Sequence, residues 1–274
     1  MSPRACLVVA VLSIAACQGA AGRDLTDGSV ASAPPGCRSY PYGSVLVLSG
    51  NPSRQTVMAS RFQPTAGATC MDVTMGSCVA TTTMPSGNTP ALVGAGAITV
   101  SGGATMLTQT PQSSASGTSY ANLTSMQSLW QGGEAIMVAA AGGDVPAFAT
   151  TLSAPTQATL TAPAASGGGA LTVSRQADLQ LAWMGDSYGT VDVELIGPSA
   201  QTVDIHCRYA PSAHAGVVPA ALLAMLPATT GGALIVTSNS AATVGAGAWS
   251  VDARLQTPAV DGGGALANYT VTFP

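Results

Sequence analysis

The residues best placed to do chemistry are one serine framed by glycines, two histidines and a cluster of sulfur. Gly185-Asp186-Ser187-Tyr188-Gly189 has the Gly-x-Ser-x-Gly spacing of a nucleophile elbow. That elbow needs a buried strand before the serine and a helix after it, to aim the hydroxyl and build an oxyanion hole. Here Thr190-Val191-Asp192-Val193 reads as a strand, so the five residues read as a hairpin turn rich in ordinary turn residues. Ser187 with His214 or His206 would be the hydrolase alternative. The chain has 2 histidines, so a histidine-rich metal site is excluded. Alternation puts His206 on the solvent face of its strand, and His214 falls in a loop beside Ser212; both read as solvated.

Cys70, Met71, Met75, Cys78 and Met84 could offer soft thiolate and thioether ligands to Cu(I). In an oxidising compartment the same residues read as a disulfide hairpin with methionines filling irregular core space. Asp261-Gly262-Gly263-Gly264 has one carboxylate and no second at calcium-loop spacing, and reads as a turn. No metal or cofactor is expected. Among the aromatics, Trp183 and Trp249 point inward by alternation. Trp130, before Gln131-Gly132-Gly133, falls in a loop and is the candidate for ligand contact.

These residues must be held by strands. Leu179/Leu181/Trp183, Val191/Val193/Leu195, Val203/Ile205/Cys207/Tyr209, Trp249/Val251/Ala253/Leu255 and Tyr269/Val271/Phe273 each alternate with polar residues. Period-two alternation gives one apolar and one polar face, as in an antiparallel sheet with one side on a core. Ser44–Ser49, Thr56–Phe62, Thr69–Val73, Ala97–Ser101, Glu134–Ala140 and Val145–Leu152 read as further strands, separated by Gly-rich turns. Pro219 to Pro227 frames a short helix of about two turns. The expected fold is all-β: an antiparallel β-sandwich, with an N-terminal β domain over 41–153 and a C-terminal sandwich over 154–274.

Composition narrows the chemistry. The chain has 8 basic and 12 acidic residues, a net charge of −4 and 7% charged residues, against 47% apolar ones. There is no lysine, which excludes a pyridoxal-phosphate Schiff base and a P-loop. A surface so poor in cations cannot neutralise many phosphates, so nucleic acid is not an expected partner.

Arg4 and the uncharged stretch from Ala5 to Ala16 have the pattern of a secretory signal. Ile14-Ala15-Ala16-Cys17 resembles a bacterial lipobox, with a branched aliphatic at −3 and small residues before the cysteine. The resemblance implies a signal peptide over 1–16, acylation of Cys17 and a membrane-anchored lipoprotein. Gln18, rather than an aspartate, points to the outer membrane. Residues 17–40, polar and small with Pro34-Pro35, read as a flexible tether. Outside the cytoplasm the remaining cysteines, Cys37, Cys70, Cys78 and Cys207, are expected in disulfides. Cys70–Cys78 is the local choice and Cys37–Cys207 the remainder.

Leu171-Thr172-Val173-Ser174-Arg175, Leu179 to Trp183, Gly189 to Val193, Cys207 and Gly216 to Leu223 resemble an uncharacterised module of exported myxobacterial and acidobacterial proteins. That resemblance implies an immunoglobulin-like sandwich and brings no catalytic residue. The sequence thus reads as a lipid-anchored envelope protein, a non-catalytic structural or binding module whose partner would be an envelope protein or a glycan.

Overall fold

The computed structural model describes residues 37–38, 40–49, 56–65, 68–85, 90–115, 117–125, 127–164, 169–185, 188–198 and 202–274. Cys17, the segment up to residue 36, and Ser187 lie outside them.

In chain order the strands of the first half are β1 Tyr42–Leu48, β2 Thr56–Gln63, β3 Ala68–Met75, β4 Cys78–Pro85, β5 Ile98–Ser101, β6 Leu107–Gln109, β7 Pro111–Ser114, β8 Gly117–Tyr120, β9 Leu123–Ser125, β10 Ala135–Ala140 and β11 Phe148–Ser153. Those of the second half are β12 Thr159–Ala162, β13 Ala170–Thr172, β14 Leu179–Met184, β15 Thr190–Ile196, β16 Thr202–Tyr209, β17 Ala215–Val218, β18 Thr229–Ala246, β19 Trp249–Pro258, β20 Val260–Asp261 and β21 Asn268–Phe273. The fold is all-β and sandwich-like, as the alternation requires. The pairing is mostly antiparallel, with β1–β19, β13–β21 and β12–β20 parallel.

One large sheet runs β3-β4-β16-β15-β18-β19-β1-β2-β9, with β21 and β13 branching from β18. Its spine is β18, 18 residues long. The first half of β18 places Leu234 and Val236 in one core, with Val193, Ile205, Leu222 and Phe273. Its second half, on the same face, places Ala242, Val244 and Ala246 against another, with Val45, Phe62, Ile136 and Val251. The four-stranded sheet β17-β14-β12-β20 covers the first core and β11-β10-β5-β6 the second. Two sandwiches therefore stand side by side on a shared sheet. Strands from both halves of the chain pair within it: β4 with β16, and β1 with β19. The sequence boundary at 153/154 does not divide this sheet.

The short helix α1, Ala220–Leu223, lies where the prolines frame it. It is one turn, because Pro219 is its N-cap rather than its first helical residue, and only looser turns continue to Leu226. Leu222, Leu223 and Leu226 are buried and fix it to the first core. No helix among the described residues is long and apolar enough to cross a membrane.

The polar face of the large sheet is concave. From β3 to β1 is six strand intervals, about 29 Å across a flat sheet at ~4.8 Å per interval. Yet Cys37 is bonded to Cys70 on β3, with 5.7 Å between their Cα atoms. The chain from Cys37 to Tyr42, the first residue of β1, reaches at most about 18 Å. The sheet must curl for these connections to close.

Candidate functional site

The concavity is a cleft of about 570 Å³. Its floor is the outward face of β15, β16, β18, β19 and β1, and Thr81 and Thr83 of β4 form a wall. Arg38, from the strap between Cys37 and β1, forms the rim. Leu46, Leu48 and Ile235 contribute an apolar strip.

Charge is concentrated here. Arg38, Arg208, Arg254, Asp192, Asp204, Asp252 and Glu194 stand on or under this face, in a chain that is 7% charged. Alternation explains it. Asp192 and Glu194 are outward on β15, Asp204, His206 and Arg208 on β16, and Asp252 and Arg254 on β19, while their sequence neighbours fill the cores.

Two carboxylates form a matched framework. Asp192 accepts Arg208 Nη2 at 2.8 Å and Nε at 3.0 Å, Asn239 Nδ2 at 2.9 Å and Thr190 Oγ1 at 2.6 Å. Burial acts to raise its pKa, but the Arg208 charge and its hydrogen bonds, the Thr190 bond and Arg254 outweigh it and hold the carboxyl below its ordinary range. Asp252 forms an ion pair with Arg38 Nη1 at 3.1 Å and accepts Arg254 Nη2 at 3.1 Å, the Tyr42 hydroxyl at 3.1 Å and Thr243 Oγ1 at 2.7 Å. Again burial is opposed, here by Arg38, the Thr243 bond and Arg254, and the pKa falls. The Tyr42 hydroxyl is pushed up to about 12, chiefly by burial.

The other acidic groups differ. Glu194 is raised by burial and then by Asp204; Asp204 is raised by burial. Among the described residues no arginine forms an ion pair with either, and Asp204 Oδ1 has no hydrogen-bond partner. Glu194 lies 3.6 Å from His206 Nε2. Burial and then Arg254 press the His206 pKa down to about 4, so this histidine is neutral at pH 7. The cleft thus offers a fixed ion-pair framework beside two carboxyls with no matched cation. It can hold a polar, cation-bearing ligand.

His206 points away from the core, as alternation predicts, but into this cleft rather than into open water: its side chain is 35% exposed. His214 is exposed in a loop, in the left-handed region after a short 3₁₀ turn. Ser187 lies outside the described residues. The motif around it is not a hairpin turn, because β14 and β15 belong to different sheets, and the residues after it form a strand rather than a helix. The motif glycines have a backbone cause: Gly189 has φ +91°, and a Cβ there would collide with the Asn239 carbonyl oxygen.

Trp130 sits in a loop, as expected, but is 6% exposed within the second core, and its indole N–H donates to Thr257 Oγ1 at 3.2 Å. It is a packing residue, not a ligand contact. All four body cysteines are in disulfides, but paired Cys37–Cys70 and Cys78–Cys207. The local Cys70–Cys78 choice fails because the two sit on opposite faces of the β3–β4 hairpin. Cys70 lies opposite Thr83, on the cleft side, and Cys78 opposite Cys207 in the core. Met71, Met75 and Met84 are exposed rather than filling core space. Asp261 caps its own turn, accepting the Gly263 and Ala265 N–H groups.

No family model matches this chain, and no curated protein resembles it significantly. Sequence inspection missed Arg38, Tyr42, Asp252 and Arg254 as a group. A usable signal was present: charges scarce everywhere else recur on the polar phases of three strands.

Proposed function

We propose that the protein is a lipid-anchored binding module of the bacterial envelope, whose ligand site is the polar cleft of the large sheet. One observation carries the site: a charge-poor chain lines one cleft of about 570 Å³ with Arg38, Asp192, Glu194, Asp204 and Arg254, and pairs Arg208 and Asp252 to them from beneath. Buried charges cost free energy unless paired, so a fold that hides them without a use is disfavoured. Ligand sites are concave, with a few polar groups placed among apolar walls, and this cleft has that make-up. The Ile14-Ala15-Ala16-Cys17 junction supports the anchor. The lack of lysine and the acidic balance argue against nucleic acid, and favour an envelope protein or glycan as partner.

The test uses the intact chain in neutral detergent as bait for envelope extracts, beside a variant in which Ser44→Trp fills the cleft. Ser44 lines the cleft and is half-buried. A partner captured by the parent, kept by the remote surface variant Met106→Ala and lost by Ser44→Trp is the expected result. The same partners captured by all three folded proteins would refute the cleft as the site.

A further inference from the structure

We infer that the Asp252–Tyr42 corner of the cleft is a recognition site for an arginine side chain of an extended peptide, filled in this structure by the protein's own Arg38. The inference rests on the reading of the cleft as a ligand site, and supplies its ligand class.

Arg38 does not belong to the sheet whose carboxylate it meets. It comes from the strap before β1, reaches Asp252 at 3.1 Å, and lies with its guanidinium carbon 5.2 Å from the centre of the Tyr42 ring. A carboxylate beside an aromatic face is a setting that selects a planar guanidinium, which can pair in plane and stack on the ring. Arg38 is one of several partners in this corner. Without Arg38, Asp252 keeps Arg254, the Tyr42 hydroxyl and Thr243. The strap is fastened by the Cys37–Cys70 disulfide, by the Cys37 N–H on Asp72 Oδ2 at 2.7 Å and by the Ser250 N–H on the Pro41 carbonyl at 3.2 Å.

The cleft is several times larger than one guanidinium, and continues past Ser44 and Thr237 to Glu194 and Asp204. An arginine peptide laid along it would put its cation where Arg38 now sits and its backbone against these polar groups. The strap, itself a length of peptide delivering an arginine, is the template for that ligand. It is also its competitor. A short tether holds an internal group at an effective concentration on the order of millimolar, which an incoming ligand must overcome. Removing Arg38, or loosening the strap, therefore raises the apparent affinity for an external arginine.

The probe is acetyl-Gly-Arg-Gly-amide, with acetyl-Gly-Gln-Gly-amide as control, titrated calorimetrically into the intact chain in neutral detergent. Arg38→Gln is expected to bind the arginine peptide about tenfold more tightly than the parent, with no gain for the glutamine peptide. Cys37→Ser/Cys70→Ser, which keeps Arg38 but frees the strap, is expected to fall between them. Adding Tyr42→Leu to Arg38→Gln should erase most of the gain. An Arg38→Gln protein that melts cooperatively and binds no tighter than the parent overturns the inference. Should Arg38→Gln not fold, the strap variant decides in the same way, and unchanged affinity there overturns it. Capture that Ser44→Trp abolishes, together with no arginine-peptide gain, removes the ligand assignment and leaves the cleft as the site. Capture that Ser44→Trp leaves intact removes the cleft reading itself.

Discussion

Replacing Arg208 by methionine tests whether the floor of the cleft is a framework of paired charge. The methionine keeps much of the aliphatic stem, so the loss falls on the guanidinium. Arg208 and Asp192 are 15% and 17% exposed, and the pair is bidentate at 2.8 and 3.0 Å. Breaking one partner out of a buried pair costs roughly 3–5 kcal/mol, because the other charge is left uncompensated. Asn239 and Thr190 still donate to Asp192, which places the expected cost near the lower end, about 3 kcal/mol at pH 7. The pH dependence is the sharper test. In the parent, Asp192 has a lowered pKa. Its stabilisation is then present above the unfolded carboxyl value and lost as pH falls through the lower folded one. In Arg208→Met, burial is no longer outweighed and the folded pKa rises above the unfolded value of about 3.9. The folded state then holds the proton longer than the unfolded chain. Stability must fall as pH rises through that window, by at most about 1.4 kcal/mol per pH unit. Urea unfolding followed by tryptophan fluorescence at pH 4.5 and 7.5 should show the variant's deficit to be smaller at the lower pH. Equal deficits at the two values, or a deficit at pH 7.5 below about 1 kcal/mol, would show that Asp192 does not depend on Arg208 for its charge.

The Cys78–Cys207 bridge spans 129 residues and Cys37–Cys70 spans 33; loop-closure entropy makes paired alanine substitutions cost about 5 and about 4 kcal/mol respectively. Guanidinium unfolding should rank them in that order, and a non-reducing peptide map containing a Cys70–Cys78 peptide would refute the connectivity. Trp130→Ala should lose roughly 3–5 kcal/mol as a core truncation while leaving partner capture unchanged; a stable variant that loses capture would restore the ligand-contact reading. Cys17→Ser should abolish palmitate labelling and shift the protein out of the membrane fraction; continued labelling would place the acylation elsewhere.

Alternation along β14, β15, β16 and β19 was enough to say which residues face a core and which do not. Cys207 and Trp183 are 0% and 2% exposed as their phase demands, and His206 and Arg208 face the other way. Period two is a local property of an extended backbone, so sequence carries it directly. Ten of the strands escaped notice, and for the two that join the most structure, β18 and β4, the reason is compositional. β18 is built of Gly, Ala, Ser, Thr and Asn around a short apolar stretch, and β4 around a run of three threonines; small polar residues read as turn or loop when no partner strand is in view. Those two hold the molecule together, β18 by running under both cores and β4 by joining the first half of the chain to β16.

The sequence by itself determined the all-β class, the inward and outward faces of the regular strands, the short proline-framed helix, and a chain poor in cations. Which face of the β3–β4 hairpin each cysteine occupies was decided by pairing across distant strands, and with it both disulfides. Long-range pairing also curled the large sheet. The outward face that alternation alone assigns to water became a half-enclosed cleft, and Arg38 was carried from a featureless segment onto a carboxylate more than two hundred residues away. Chain order contains no term for that distance; only the register of strand against strand sets it.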